Sequence, residues 1–125
     1  MAFEDILDKN VGWNWRGDDS DEPAVSDYLS GRIDLDLAEP DYSFDYVSFW
    51  VRKDNGQILY STDSGCSCPS PYEEQTVADL KEISLNGIPG LLESLGDRGW
   101  GYSTATLKKN AREQVYPYLQ KLGGK

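Results

Sequence analysis

The sequence predicts an α+β fold, with a small antiparallel sheet packed by C-terminal helices. Three observations carry that expectation. Arg32-Ile33-Asp34-Leu35-Asp36-Leu37 alternates apolar and polar residues, the period of a half-buried strand. Phe44 to Arg52 is dense in aromatic and β-branched residues and runs into Lys53-Asp54-Asn55-Gly56, a turn signal in which Asn55-Gly56 tolerates positive φ. Near the C-terminus, Leu107, Ala111, Val115, Tyr118, Leu119 and Leu122 form one apolar stripe at helical spacing. The sheet is expected as a three-stranded meander over about 32–62, with helices over about 76–85 and 104–122.

The elements follow in chain order. Phe3 to Leu7 reads as a short amphipathic turn with Phe3, Ile6 and Leu7 on one side. Gly17 to Pro23 is a loop on composition. In the first strand Ile33, Leu35 and Leu37 should face a core, and Asp34 and Asp36 water. In the second, Val47, Phe49 and Val51 line one face and Tyr46, Ser48 and Trp50 the other. Bulk on both faces makes this strand central. Gln57 to Thr62 returns as the third. Residues 63–75, with Gly65, Pro69 and Pro71, are expected to be an irregular loop. Thr76 and Asp79 offer a capping box for a helix with Val77, Leu80 and Ile83 inward, stopped at Asn86-Gly87. Pro89 opens a short helix through Leu95. Ser103 or Thr104 caps the last helix, which Pro117 should kink or divide.

A chain of 125 residues is expected to form one domain, 1–125. With 38% hydrophobic residues, four Trp, eight Tyr and three Phe, it has material for a core without disulfides or metal. The acidic start Met1-Ala2-Phe3-Glu4-Asp5 shows no signal peptide, and no apolar run is long enough to span a membrane, so a cytoplasmic protein is expected.

The net charge of −10 is unevenly placed: residues 1–45 hold 13 acidic against three basic residues, and the remainder holds nine of each. A phosphate backbone needs a basic surface, so direct nucleic-acid binding is disfavoured. The acidic third is either a solubilising face or a surface for a basic partner.

The chain has no histidine, which removes Ser-His-Asp and Cys-His catalysis and histidine metal sites. Cys66 and Cys68 are its only cysteines, two thiolates where a structural zinc needs about four ligands. A disulfide between them would close a three-residue loop, worth only about 1.6 kcal/mol before strain. The loop around Asp63, Gly65, Cys66, Cys68, Pro69, Tyr72 and Glu73 therefore reads as a rigid joint between the hairpin and the next element. Asp18, Asp19, Asp21 and Glu22 lack the glycine and distal Glu of an EF-hand loop and read as solvated. No catalytic residue, cofactor or metal ligand is assigned.

The run Tyr60-Ser61-Thr62-Asp63-Ser64-Gly65-Cys66-Ser67-Cys68-Pro69-Ser70-Pro71-Tyr72-Glu73 resembles the signature of a family of small proteins of actinobacteria and their bacteriophages, including phages of mycobacteria. The resemblance reaches back through the Phe44–Tyr60 hairpin and forward to Asp79-Leu80, about a third of the chain. The family carries no assigned activity, so the resemblance implies a setting: a phage-type protein of the host cytoplasm.

The expectation for function is a non-enzymatic acidic protein that binds and modulates a host protein with a basic surface. Asp18, Asp19, Asp21, Glu22, Asp34, Asp36, Trp13 and Trp15 are the candidate contacts. Two alternatives stay open: a thiol-based redox or metal-bridged protein using Cys66 and Cys68, and a minor virion component.

Overall fold

A computed structural model describes residues 3–11, 25–39, 43–66, 72, 74–97 and 101–125. Ser43, Phe44 and Cys66 are described by their main chain alone. Four strands, β1 (Ile33–Asp36), β2 (Ser43–Val51), β3 (Ile58–Cys66) and β4 (Lys81–Ile83), form one antiparallel sheet in the order β1-β2-β3-β4. The α+β class and the central meander are as expected. The fourth strand is not.

β4 replaces most of the helix expected over 76–85. Thr76 and Asp79 do form the capping contact, with Thr76 N–H donating to Asp79 Oδ2 at 2.9 Å, but the turn they start is a single 3-10 turn, Val77–Asp79. Lys81 to Ile83 then pair with Tyr60 to Ile58. The three-residue spacing of Val77, Leu80 and Ile83 suits one helix face, yet Val77 and Leu80 enter one core and Ile83 packs on the other. Pairing β4 with β3 also satisfies an edge that a helix would have left open.

β3 also runs further than expected. Asp63, Ser64, Gly65 and Cys66 stay in the ladder opposite Tyr46, Asp45, Phe44 and Ser43. Gly65 is therefore a strand residue, which corrects the irregular loop expected from residue 63, and residues 67–71 and 73 lie outside the described residues.

β2 buries both faces, as its bulk implied. Val47, Phe49 and Val51 join Leu35, Leu37 and Ile58 in a first core, closed by Ile88, Leu92, Leu107, Ala111, Val115 and Leu119 from the helices. Trp50 points the other way, into a second core with Leu59, Ile6, Val11, Val25, Leu29, Tyr72, Val77 and Leu80. The N-terminal 3-10 turn Phe3–Ile6 covers part of this second face, and residues 7–11 clip to 75–78 by main-chain bonds such as Val77 N–H to Lys9 O (2.9 Å). At the hairpin, Gly56 takes φ +77°, the left-handed geometry that the Asn55-Gly56 pair offered. Its carbonyl accepts from Lys125 N–H at 2.9 Å, which ties residues 123–125 to the turn.

The helical layer comprises α1 (Ile88–Leu95), α2 (Thr104–Asn110), a π-helical stretch (Ala111–Val115) and α3 (Tyr116–Lys121), the last three continuous. The division has the cause anticipated at Pro117. Proline has no N–H for the carbonyl four residues back, and the preceding turn widens so that Tyr116 N–H bonds to Ala111 O. Among the described residues no helix is long and apolar enough to cross a membrane.

α1 meets α2 through a glycine. A Cβ on Gly96 would lie 2.3 Å from Thr104 Oγ1 and 2.7 Å from its Cα, while one on Gly90 would meet nothing within 4 Å. Gly96→Ala is expected to destabilise the fold by about 1–3 kcal/mol through overpacking. Gly90→Ala, inside a helix, should stabilise it by about 0.5–1 kcal/mol. Urea denaturation of the two variants checks the opposite signs.

Candidate functional site

The second face of the sheet is the place where predicted site residues come together. Its pattern follows from the register: Asp34 lies opposite Ser48, which lies opposite Ser61, and Asp36 lies opposite Tyr46, which lies opposite Asp63. These side chains share a face because strand residues alternate sides. Burying a polar group without a partner is costly. Here Asp34 and Ser48 are joined in one chain and Ser61 Oγ donates to Gln75 Oε1 at 2.6 Å, while Arg32 Nη1 and Trp50 Nε1 are buried with no partner among the described residues.

Tyr72 supplies that cover. It is fully buried, its ring meets Trp50 edge-on with centroids 5.3 Å apart, and the Arg32 guanidinium sits 4.9 Å above its centre. Its hydroxyl donates to Ser48 Oγ at 2.7 Å and lies 3.3 Å from the Ser61 carbonyl. Ser48 donates onward to Asp34 Oδ1 at 2.5 Å, and Arg32 Nε pairs with the same oxygen at 3.0 Å. Asp34 is thus bonded into the second layer and keeps only 32% of its side-chain surface exposed, a correction to the expectation that it faces water alone. The tyrosine main chain is held too: Tyr72 N–H donates to Asp63 Oδ2 at 2.7 Å, while Ser64 N–H donates to Asp63 Oδ1.

Tyr72 sits at φ 61°, a left-handed conformation costing a bulky L-residue about 1–3 kcal/mol. Ring burial, the hydroxyl bond and the Asp63 bond together hold it there. Asp63 on β3 and Tyr72 are thereby fastened to each other, while Cys68, Pro69 and Glu73 of the expected joint lie outside the described residues. Burial pushes the Tyr72 phenol well above its usual range, with the Ser48 hydrogen bond pulling the other way, so the hydroxyl stays a neutral donor. Ser48 has no exposed surface, and its oxygen is occupied by Tyr72 and Asp34. The Asp-Ser-Tyr string is built to fasten layers.

Around this fastener the charge is sorted by layer. Two half-buried tyrosines rim the second core, Tyr28 and Tyr46. The Tyr28 phenol is raised by desolvation and by the charges of Asp5 and Asp27. The Tyr46 phenol is raised by desolvation and by Asp34, Asp36 and Asp63, with Arg32 opposing. Asp36 itself is pushed up by desolvation and by its neighbour Asp34. Across the sheet the field reverses: at Tyr116 burial raises the phenol, while Arg112 and Lys108 pull it down. Carboxylates gather around the tyrosines of the second layer, where Arg52 also stacks 3.8 Å over the Phe3 ring, and the helical layer presents Lys109 and Arg112 together with Lys108, which is bridged to Glu93.

Asp34, Asp36, Asp63, Gly65 and Tyr72 are placed by the structure, as is the main chain of Cys66, paired with Ser43. Trp13, Trp15, Asp18, Asp19, Asp21, Glu22, Cys68, Pro69 and Glu73 lie outside the described residues. Among the described residues no three or more His, Cys, Asp or Glu side chains are grouped to hold a metal ion. Sequence reading missed Arg32, Ser48, Tyr28 and Tyr46. The signal for Ser48 was present: a small polar residue facing inward on a strand otherwise lined with aromatics.

Residues 29–117 match the model of a domain of unknown function, DUF7574. No curated protein and no solved structure matches the chain. The matched span holds all four strands, Tyr72 and the Arg32–Asp34–Ser48 chain, and leaves out the N-terminal turn with Glu4 and Asp5.

Removing either end of the Tyr72–Ser48 bond is expected to cost about 1–3 kcal/mol, because a buried group loses its partner. Tyr72→Phe with Ser48→Ala should cost less than the sum of the two, and a double-mutant cycle by denaturation measures the coupling. Asp36 gives a pH signature. Its folded pKa is raised, so its favourable contribution is present below the unfolded carboxyl range, about pH 4, and is lost as pH rises through the folded value. Asp36→Asn should therefore raise the urea midpoint at pH 7 and leave it unchanged at pH 3. With the model matching well over half of its length, the chain belongs to the DUF7574 family.

Proposed function

We propose that this protein is a non-enzymatic binding protein of phage type, acting in the host cytoplasm on a host protein with a basic surface. The observation that carries the reading is the sorting of charge by layer. Tyr28 with Asp5 and Asp27, and Tyr46 with Asp34, Asp36 and Asp63, gather carboxylates and aromatic rings on the second layer, away from Lys108 and Arg112. Half-buried tyrosines offer rigid contact area with a polar tip, and carboxylates around them favour a cationic partner while rejecting an acidic one. Asp36 strengthens the case, since a carboxylate desolvated next to another carboxylate is relieved by an incoming cation.

The resemblance of the Tyr60–Glu73 run to proteins of actinobacteriophages supports the phage setting. The excess of 13 acidic over three basic residues in residues 1–45 supports the same reading. The Asp-Ser-Tyr fastener then has a supporting role: it holds β1 and β2 against the covering layer, so that the tyrosine rims stay in place.

Immobilised protein incubated with a mycobacterial lysate tests the proposal. The wild type is expected to enrich a basic host protein, released near 1 M salt, where the Debye length falls to about 3 Å. A variant with Asp5→Asn, Asp27→Asn and Asp36→Asn should lose it. Equal capture by wild type and variant would show that the acidic layer is only solubilising.

A further inference from the structure

We propose that the outer edge of β1 is a strand-addition site for an extended partner segment carrying Lys or Arg at alternate positions. The inference rests on the binding reading above and gives it a mode of contact.

The main-chain geometry comes first. β1 stands at the end of the strand order, so no strand among the described residues lies beyond it. Leu37 N–H donates inward to Asp45 O at 2.8 Å. In an antiparallel ladder, successive residues alternate between bonding the partner strand and facing away from it. Leu35 therefore turns toward β2 like Leu37, and Asp34 and Asp36 direct their N–H and C=O groups outward. The edge has defined ends. Tyr118 Oη donates to Gly31 O at 2.7 Å before β1, and Tyr102 N–H donates to Leu37 O at 2.8 Å after it. Between them lie the four residues Ile33–Asp36, partly exposed apart from Leu35.

The side chains select the occupant. Asp34 and Asp36 present carboxylates on one face of this edge, and Ile33 packs on the other. An added antiparallel strand places residues directly across from Asp34 and Asp36, with Cβ atoms about 4.5–5.5 Å apart. Lys or Arg at those two positions would meet the carboxylates, and an apolar residue between them would extend the first core past Ile33. Asp34 already shares Arg32, so the partner's charge falls mainly on Asp36. A second copy of this chain is the wrong occupant. Pairing β1 with itself would set aspartate against aspartate, which is destabilising. Inward or edge charges of this kind commonly protect a sheet from self-association, and here they leave a basic strand as the accepted guest.

A short capped peptide of alternating Lys and Val is the probe, with a Glu and Val peptide as control. The Lys peptide is expected to bind and to slow hydrogen exchange at the Asp34 and Asp36 amides. Asp36→Asn removes charge and keeps the amide, whereas Asp36→Pro removes the outward N–H, which an edge strand tolerates. Circular dichroism confirms that both variants fold. Binding by Asp36→Pro should be about tenfold weaker than by Asp36→Asn. If the peptide binds with charge dependence but Asp36→Pro matches Asp36→Asn, strand addition is wrong and the acidic-surface reading survives. If the Lys peptide does not bind, or the Glu peptide binds equally well, the edge proposal is overturned, and the lysate capture decides the surface reading separately.

Discussion

A strand with large side chains on both faces has to be covered twice, and β2 imposes that requirement on this molecule. Val47, Phe49 and Val51 need one lid; Trp50 on the opposite face needs another. The helical lid is supplied by the C-terminal third, whose apolar stripe is long and continuous. The second lid is assembled from short pieces: a 3-10 turn, the clipped segments 7–11 and 75–78, and the single side chain of Tyr72. Short pieces bury little area each, so they depend on polar fastening more than the helices do. This is why the hydrogen-bond chain through Ser48 lies on that face.

Much of the architecture was legible because its signals are local. Strict alternation set β1, aromatic density set β2, and Asn55-Gly56 set the hairpin, with Gly56 taking the positive φ. Pro117 marked the break in the last helix, although not that the helix would continue through it by a π turn. What failed was periodicity over a short stretch. Val77, Leu80 and Ile83 have the spacing of a helix face, but nothing local says that the sheet passes between them. The same limit hid the polar chain. Asp34 in an alternating strand looks solvent-facing until Ser48 and Tyr72, 14 and 38 positions away, are known to lie across from it and above it.

The two sides of the sheet also differ in their electrostatics, and the reason lies partly in chain order. The acidic residues cluster before residue 45, and the described residues of that part build β1 and some of the second lid. The helices come later, from sequence that is neutral overall and contributes Lys108, Lys109 and Arg112. A linear bias in composition thereby becomes a difference between layers. The cost of desolvating Asp36 beside Asp34 is borne by the fold.

The second lid also separates the unit that sequence matching defines from the unit that folds. The family span begins at Leu29 and ends at Pro117. Ile6, Val11 and Val25 lie before it and Leu119 after it, and all four are buried. A fragment trimmed to those borders would keep every strand and still uncover Trp50 and Leu59 on one side and loosen the helical layer on the other. For expression or crystallisation, the boundaries that matter are set by those four side chains.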